Sequence, residues 1–209
     1  MSEAKSPLEM VYAASSDAEL AAAYASWAAA YDRETLELGY SLPFMIAAWV
    51  ARYVPREDGP LLDAGCGTGL TGPSLRALGY GHVEGLDLSD EMLAIAASRN
   101  AYVDLKRARL GDSLPWPDRY FAAILSTGVF TEGHAPASGF DELVRMTRPG
   151  GHIVATVRDV VLERDGFRDK FMELESAGRW SIVEESAPFH AFAIAEPEML
   201  VKTFVFVVC

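Results

Sequence analysis

Asp63, Gly65, Gly67, Gly69 and Asp87 are the residues of this 209-residue chain whose types and spacing could do chemistry. Asp63 closes the apolar pair Leu61-Leu62, and glycine then takes every second position of Ala64-Gly65-Cys66-Gly67-Thr68-Gly69. Glycine reaches positive φ without steric cost and lets a ligand lie against bare backbone. The loop amides and the helix start that follows at Leu70-Thr71-Gly72-Pro73 add a polar cradle. Short strand, glycine loop and helix form the nucleotide-binding corner of a doubly wound α/β sheet. The dinucleotide spacing G-x-G-x-x-G would need glycine where Leu70 stands, which disfavours an NAD-dependent oxidoreductase. An acid at the mouth of the loop suits a cationic ligand instead. Asp87 ends the second expected strand, about twenty residues beyond the first glycine, where an acid accepts both ribose hydroxyls. An ionised carboxylate can do so because it only accepts, on two oxygens. The rival role, capping the next helix, falls to Ser89.

Other elements must hold these residues in place. Residues 1–15 read as loosely ordered, and Ser16-Asp17-Ala18-Glu19 is a capping box that opens a helix. Leu20, Tyr24, Trp27 and Tyr31 recur along one face of it, a stripe that on spacing alone is core packing. A second helix is expected over 42–54, and Pro55-Arg56-Glu57-Asp58-Gly59-Pro60 is a breaker cluster. The chain therefore divides into a helical segment over 1–58 and a sheet domain over 59–209. After the Leu61-Leu62-Asp63 strand, further strands are expected at 83–88, 103–110, 120–125, 152–158, 180–186 and 200–208. Lys106, Arg107 and Arg109 suggest a sheet edge for the third. A last helix is expected over 163–178. The loop Thr131-Glu132-Gly133-His134-Ala135-Pro136 follows strand four and is the place for substrate contact. His134 reads there as a general base, a substrate orienter or a hydrogen-bonded loop histidine.

At these residues the chain resembles the class I S-adenosylmethionine-dependent methyltransferases. Their first motif, an acid followed by G-x-G-x-G, is matched throughout by Asp63 to Gly69. Trp27 to Asp32 resembles their N-terminal W-x-x-x-Y-D segment, and Arg148-Pro149-Gly150-Gly151 before a strand is a further motif. Gly111-Asp112-Ser113-Leu114-Pro115-Trp116 resembles the G-D-x-x-x-L-P-F stretch of the ubiquinone-biosynthesis type, shortened by a residue or two. Within the superfamily the chain is most similar to the Williams–Beuren syndrome region methyltransferase-like proteins, through the Tyr-Asp helix, the D-x-x-C-G-T-G-L loop and the P-G-G turn. Where many relatives carry Phe-Asp, it has Phe121-Ala122.

The resemblance implies an α/β fold with a doubly wound, mostly parallel seven-stranded sheet, the last strand antiparallel, and an N-terminal helical lid. It implies S-adenosyl-L-methionine as cofactor and S-adenosyl-L-homocysteine as product. Asp63, Gly65, Cys66 and Gly67 would hold it at the loop, with Asp87, Leu88 and Met92 at the ribose. Asp112 would accept from the adenine amino group, and the Ser113 amide would reach the ring. Thr127 would stand on the cofactor wall at the end of strand four, and Tyr31 would close over the ligand. His134 is the one candidate catalytic residue. A methyl on a positive sulfur is already activated, so holding the reactants in line can supply much of the acceleration.

Composition narrows the partners. Lysine and arginine number 18 against 30 acids, a formal charge of −12 that would repel nucleic acid and anionic membranes. Two cysteines fit a reducing cytoplasmic setting, and four scattered histidines show no metal spacing. No apolar run is long enough to span a bilayer, and none follows the N-terminus as a signal peptide. The expectation is a cytoplasmic enzyme acting on a small-molecule acceptor. The alternative is a non-catalytic S-adenosylmethionine-binding regulatory or scaffold protein. The acceptor and the oligomeric state are not legible.

Overall fold

The structure, a computed structural model, describes residues 7–14 and 16–209. Helix α1 (Pro7–Ala13) occupies much of the stretch expected to be loose, while residues 1–6 and 15 lie outside the described residues. Its Val11 is buried with Leu20, Ala23 and Trp27 of α2 (Asp17–Glu37), so packing of an apolar face makes this short helix, not propensity. Ser16 caps α2 as expected, its hydroxyl accepting from the Glu19 amide at 3.3 Å. Helix α3 (Leu42–Tyr53) buries Ile46, Ala47 and Val50 against the sheet residues Leu61, Val83 and Val205.

The strands are β1 (Leu61–Ala64), β2 (Val83–Asp87), β3 (Asp104–Arg107), β4 (Phe121–Phe130), β5 (Thr147–Arg158), β6 (Trp180–Glu185), β7 (Phe189–His190) and β8 (Leu200–Val208). They lie in the order β3-β2-β1-β4-β5-β8-β6. The first five are parallel, and β8 runs antiparallel between β5 and β6, as the resemblance implies. The two-residue β7 pairs with β8 beside this order, so the sheet has eight strands where seven were expected. Helices α4 (Thr71–Ala77), α5 (Asp90–Ser98), α6 (Gly139–Met146), α7 (Asp159–Arg164) and α8 (Phe167–Ser176) complete the chain.

Alternate residues of the central strands feed opposite faces. Leu62, Ile124, Ile153 and Phe206 join α6, α7 and α8 on one side, while Leu61, Ala123, Val154 and Val205 join α3 and α4 on the other. Both faces are covered, so these strands read as continuous apolar runs. Phe140 of α6 anchors the first face, its ring 4.3 Å from Phe130 and 5.1 Å from Phe171.

Several boundaries differ from the sequence reading. The helix expected over 163–178 is two helices, broken where Gly166 takes φ 77. Strand β3 is shorter than expected but does lie at the sheet edge. Arg148 to Gly151 form an outward bulge, since Phe121 pairs with Thr147 and Ala123 with His152. Strand β4 continues to Phe130, with a register break against β5 between Ser126 and Phe130. That break carries Thr127, Gly128 and Val129 into the site.

Candidate functional site

A cleft of about 960 Å³, counting space open to solvent, lies at the carboxyl ends of β1, β2 and β4. This is the topological switch point of an open α/β sheet, where such folds bind ligands. Tyr31, Gly65, Cys66, Gly67, Asp87, Leu88, Met92, Thr127 and His134 all line it. Three of the expected residues do not line it: Asp63, which is buried, and Asp112 and Ser113. Asp112 and Ser113 are exposed, and Arg109 Nη1 lies 3.3 Å from Asp112 Oδ1. The chain reaches the cleft just after β3, through Ala108, Arg109 and Leu110. It then turns away at Gly111, which takes φ 107. A motif read two residues late thus names the turn instead of the wall.

The glycine loop is shaped by close approach. A Cβ on Gly65 would meet Val129 Cγ2 at 2.2 Å, and φ is +83, so only glycine fits. Gly67 has φ +54, yet a Cβ there would meet nothing within 4 Å, because its open side faces the cleft. The Gly67 amide donates to Asp87 Oδ2 at 2.8 Å and the Ser89 amide to Asp87 Oδ1 at 3.0 Å. Each oxygen keeps acceptor capacity, which is what a vicinal diol requires. Burial raises the Asp87 pKa, and these amides oppose the shift.

Asp63 lies beneath the loop and does not line the cleft. It is 1% exposed; Tyr102 donates to its Oδ2 at 2.7 Å, and its Oδ1 has no hydrogen-bond partner. Burial pushes its pKa to about 7, Tyr102 pulls it back, and the Asp87 charge adds to the rise. A buried carboxylate lacking one partner beside an open glycine cradle fits a ligand that brings positive charge. Cys66 is held as a thiol and Tyr31 as a phenol, both chiefly by burial.

Helix α2 is tied to this loop by a latch the sequence did not announce. Asp32 Oδ1 accepts from Thr68 Oγ1 at 2.6 Å, and its Oδ2 pairs with Arg99, whose Nε donates to the Thr68 carbonyl at 2.6 Å. The latch places Tyr31 over the cleft. Tyr40 was also missed, having no motif around it; a Cβ on Gly128 would meet its hydroxyl oxygen at 2.4 Å.

His134 meets α2. Its Nδ1 lies 2.7 Å from the Glu132 carbonyl and its Nε2 2.9 Å from the Tyr24 hydroxyl. A carbonyl can only accept, so Nδ1 carries the proton and Nε2 accepts from Tyr24. Burial lowers the His134 pKa, which keeps the ring neutral near pH 7. Tyr24 belonged to the aromatic stripe, and periodicity alone could not separate it from packing residues.

A second cavity adjoins the first, and Tyr24, Tyr31, Tyr40, Gly128 and His134 line both. It encloses about 570 Å³, again counting open space, and its walls include Trp27, Phe130, Phe192 and Arg158. No cluster of potential metal ligands occurs among the described residues.

A family model described as methyltransferase domain matches residues 62–155, which run from β1 through most of β5. Human methyltransferase-like protein 27 is 32% identical over 163 residues, covering 75% of this chain and 66% of that protein. The demethylmenaquinone methyltransferase of Clavibacter sepedonicus is 29% identical over 181 residues, covering 83% and 73%. The chain spans 53% of the malonyl-[acyl-carrier protein] O-methyltransferase of Erwinia billingiae, at 31% identity. Among solved structures, a chain of the complex between the Haloferax volcanii Trm112 methyltransferase activator and its methyltransferase superposes with TM-score 0.67 at 20% identity, covering 88% of this chain and 97% of that one. An S-adenosylmethionine-dependent methyltransferase from Mesorhizobium loti gives 0.57 at 19% identity, covering 77% and 97%. Fold, sheet order and sequence relatives agree, and this chain belongs to the class I S-adenosylmethionine-dependent methyltransferases.

Proposed function

We propose that the protein transfers a methyl group from S-adenosyl-L-methionine to a small-molecule acceptor. The observation that carries this reading is the pair of joined cavities. One is built on the glycine loop and Asp87; the other opens from it through Tyr24, Tyr31, Tyr40, Gly128 and His134. A scaffold that only bound the cofactor would have no use for the second chamber.

When bound, S-adenosyl-L-methionine supplies a methyl on a positive sulfur. The protein's own residues do the rest. Asp87 accepts the ribose hydroxyls while two amides hold its carboxylate in place. Ionised Asp63 offsets the ligand's positive charge from below the loop. Arg109, Leu110 and Ala108 form the wall where the adenine end would lie. The Asp32–Thr68–Arg99 latch closes α2 over the site, and Tyr31 excludes water from the junction. Neutral His134, accepting from the Tyr24 hydroxyl, can take a proton from an acceptor either directly or through that hydroxyl. The moving unit in this reading is α1 and α2. Helix α3, although N-terminal to the boundary near residue 58, packs into the sheet core.

Calorimetric titration with S-adenosyl-L-methionine, S-adenosyl-L-homocysteine and NAD tests the proposal. Micromolar binding of the first two without the third is the expected result, followed by transfer of labelled methyl in an acceptor screen. Binding of NAD alone would overturn it.

A further inference from the structure

The second cavity carries information about the acceptor. Its walls are largely aromatic and aliphatic: Trp27, Tyr40, Phe130, Phe192, Met199 and Val201. Among the described residues that line it, Arg158 alone bears a full charge, because burial keeps His134 neutral. That is notable in a chain of net charge −12.

Arg158 closes β5, and its side chain is 17% exposed. Its guanidinium is engaged through Nη1 with Glu132 Oε2, while Nε, shielded from solvent, has no hydrogen-bond partner. Glu132 in turn faces a second guanidinium, with Arg164 Nη1 4.0 Å from its other oxygen, and accepts from Thr131 Oγ1 at 3.2 Å. Arg164 is itself held by Asp165, through Nε at 2.6 Å and Nη2 at 2.8 Å, so the charges of this cluster balance, and what Arg158 offers the apolar chamber is its unused Nε donor. A buried guanidinium with an unused donor lowers its free energy when it gains an acceptor, most of all a planar carboxylate.

Position supplies the rest. Arg158 lines the second cavity and not the first, whereas Tyr24 and His134 line both. An acceptor held at Arg158 by one end would reach the junction with the other.

Resting on the methyl-transfer reading, we infer that the acceptor is a small, mainly apolar acid: an aromatic or alicyclic body whose carboxylate is anchored by Arg158 and whose distal atom meets the methyl group near His134. Arg158 is then a specificity-determining residue that sets which molecule enters and how it lies. In the transfer, the distal atom's lone pair forms the new bond to the methyl carbon. The sulfur keeps the electron pair of the bond that breaks, and any acceptor proton passes to His134 Nε2.

The test is a calorimetric comparison of indole-3-acetate with indole-3-acetamide, which share a body and differ in charge. Each is titrated with and without saturating S-adenosyl-L-homocysteine. The acid should bind at least tenfold tighter than the amide. Arg158→Gln should erase that preference while leaving S-adenosyl-L-homocysteine affinity unchanged. Glu132→Gln, which removes the competing carboxylate, should strengthen acid binding severalfold; a purely structural Arg158–Glu132 pair would give no such gain. Equal binding of acid and amide, no saturable binding of the acid, or weaker acid binding in Glu132→Gln would each overturn the inference. Failure of S-adenosyl-L-homocysteine to bind would instead overturn the methyl-transfer reading, since the acids report on the second cavity by themselves.

Discussion

Asp63 offers the sharpest test of how the loop handles charge. Its carboxyl is 1% exposed, one oxygen lacks a partner, and burial raises its pKa to about 7. If ionised Asp63 offsets the positive charge of S-adenosyl-L-methionine, affinity must follow its ionisation. With a pKa of about 7, roughly one carboxyl in thirty is ionised at about pH 5.5 and about half at pH 7, so the apparent Kd should tighten by about fifteenfold between them. The pair is Asp63 and Asp63→Asn, titrated calorimetrically across that range. Asn keeps the shape and can still accept from Tyr102, but it does not ionise. The variant should bind weakly with a flat profile. Methylthioadenosine, which lacks the sulfonium and the amino acid, should bind both proteins without this dependence. The same group predicts the apo-protein's stability. Because the folded pKa lies above the ordinary value, the folded state holds an extra proton between about pH 4 and 7. Stability should therefore fall as pH rises through that window, by on the order of 4 kcal/mol from this group, and level off above it. Asp63→Asn should remove that slope. A wild-type Kd that does not change with pH, or a variant that keeps the same slope, would refute the reasoning.

Three further predictions follow from other contacts. Asp87→Ala removes the carboxylate that two amides hold at the cleft and that is proposed to accept the ribose hydroxyls, and cofactor affinity should drop tenfold or more; calorimetry showing an unchanged Kd would exclude the ribose role. Asp32→Asn breaks the Arg99 ion pair and weakens the Thr68 contact, so amide exchange in α2 should speed up and cofactor dissociation quicken, with sheet protection unchanged. Phe140→Ala empties a fully buried aromatic site beside Phe130 and Phe171 and should cost about 3–5 kcal/mol in denaturant titrations.

Much of this protein was legible along the chain because its informative signals are local. Glycine spacing is dictated by backbone conformation, so Gly65 and Gly67 marked the loop before any contact was known. The acid ending β2 follows from strand length, and Asp87 stands where that counting put it. Apolar runs announced the central strands because both sheet faces are covered. Boundaries were less secure. A strand extended past a register break, as β4 is from Ser126 to Phe130, has no local signature, and neither does a two-residue β7 that exists by pairing with β8. The motif reading expected Asp112 and Ser113 at the adenine; in the structure Arg109 and Leu110 line the cleft and those two do not, since a turn at Gly111 is invisible until it is seen.

The sequence by itself determined the α/β class, the strand–glycine loop–helix corner and the acid that ends β2, all of which depend on neighbours within a few tens of residues. Only the tertiary structure decided what faces that corner. Tyr24 meets His134, Asp32 meets Thr68 and Arg99, and Arg158 meets Glu132 beside an aromatic chamber. These partners come from separate elements of the chain and are brought together by burial of helix and sheet faces, which constrains residue polarity but does not record which residues will touch.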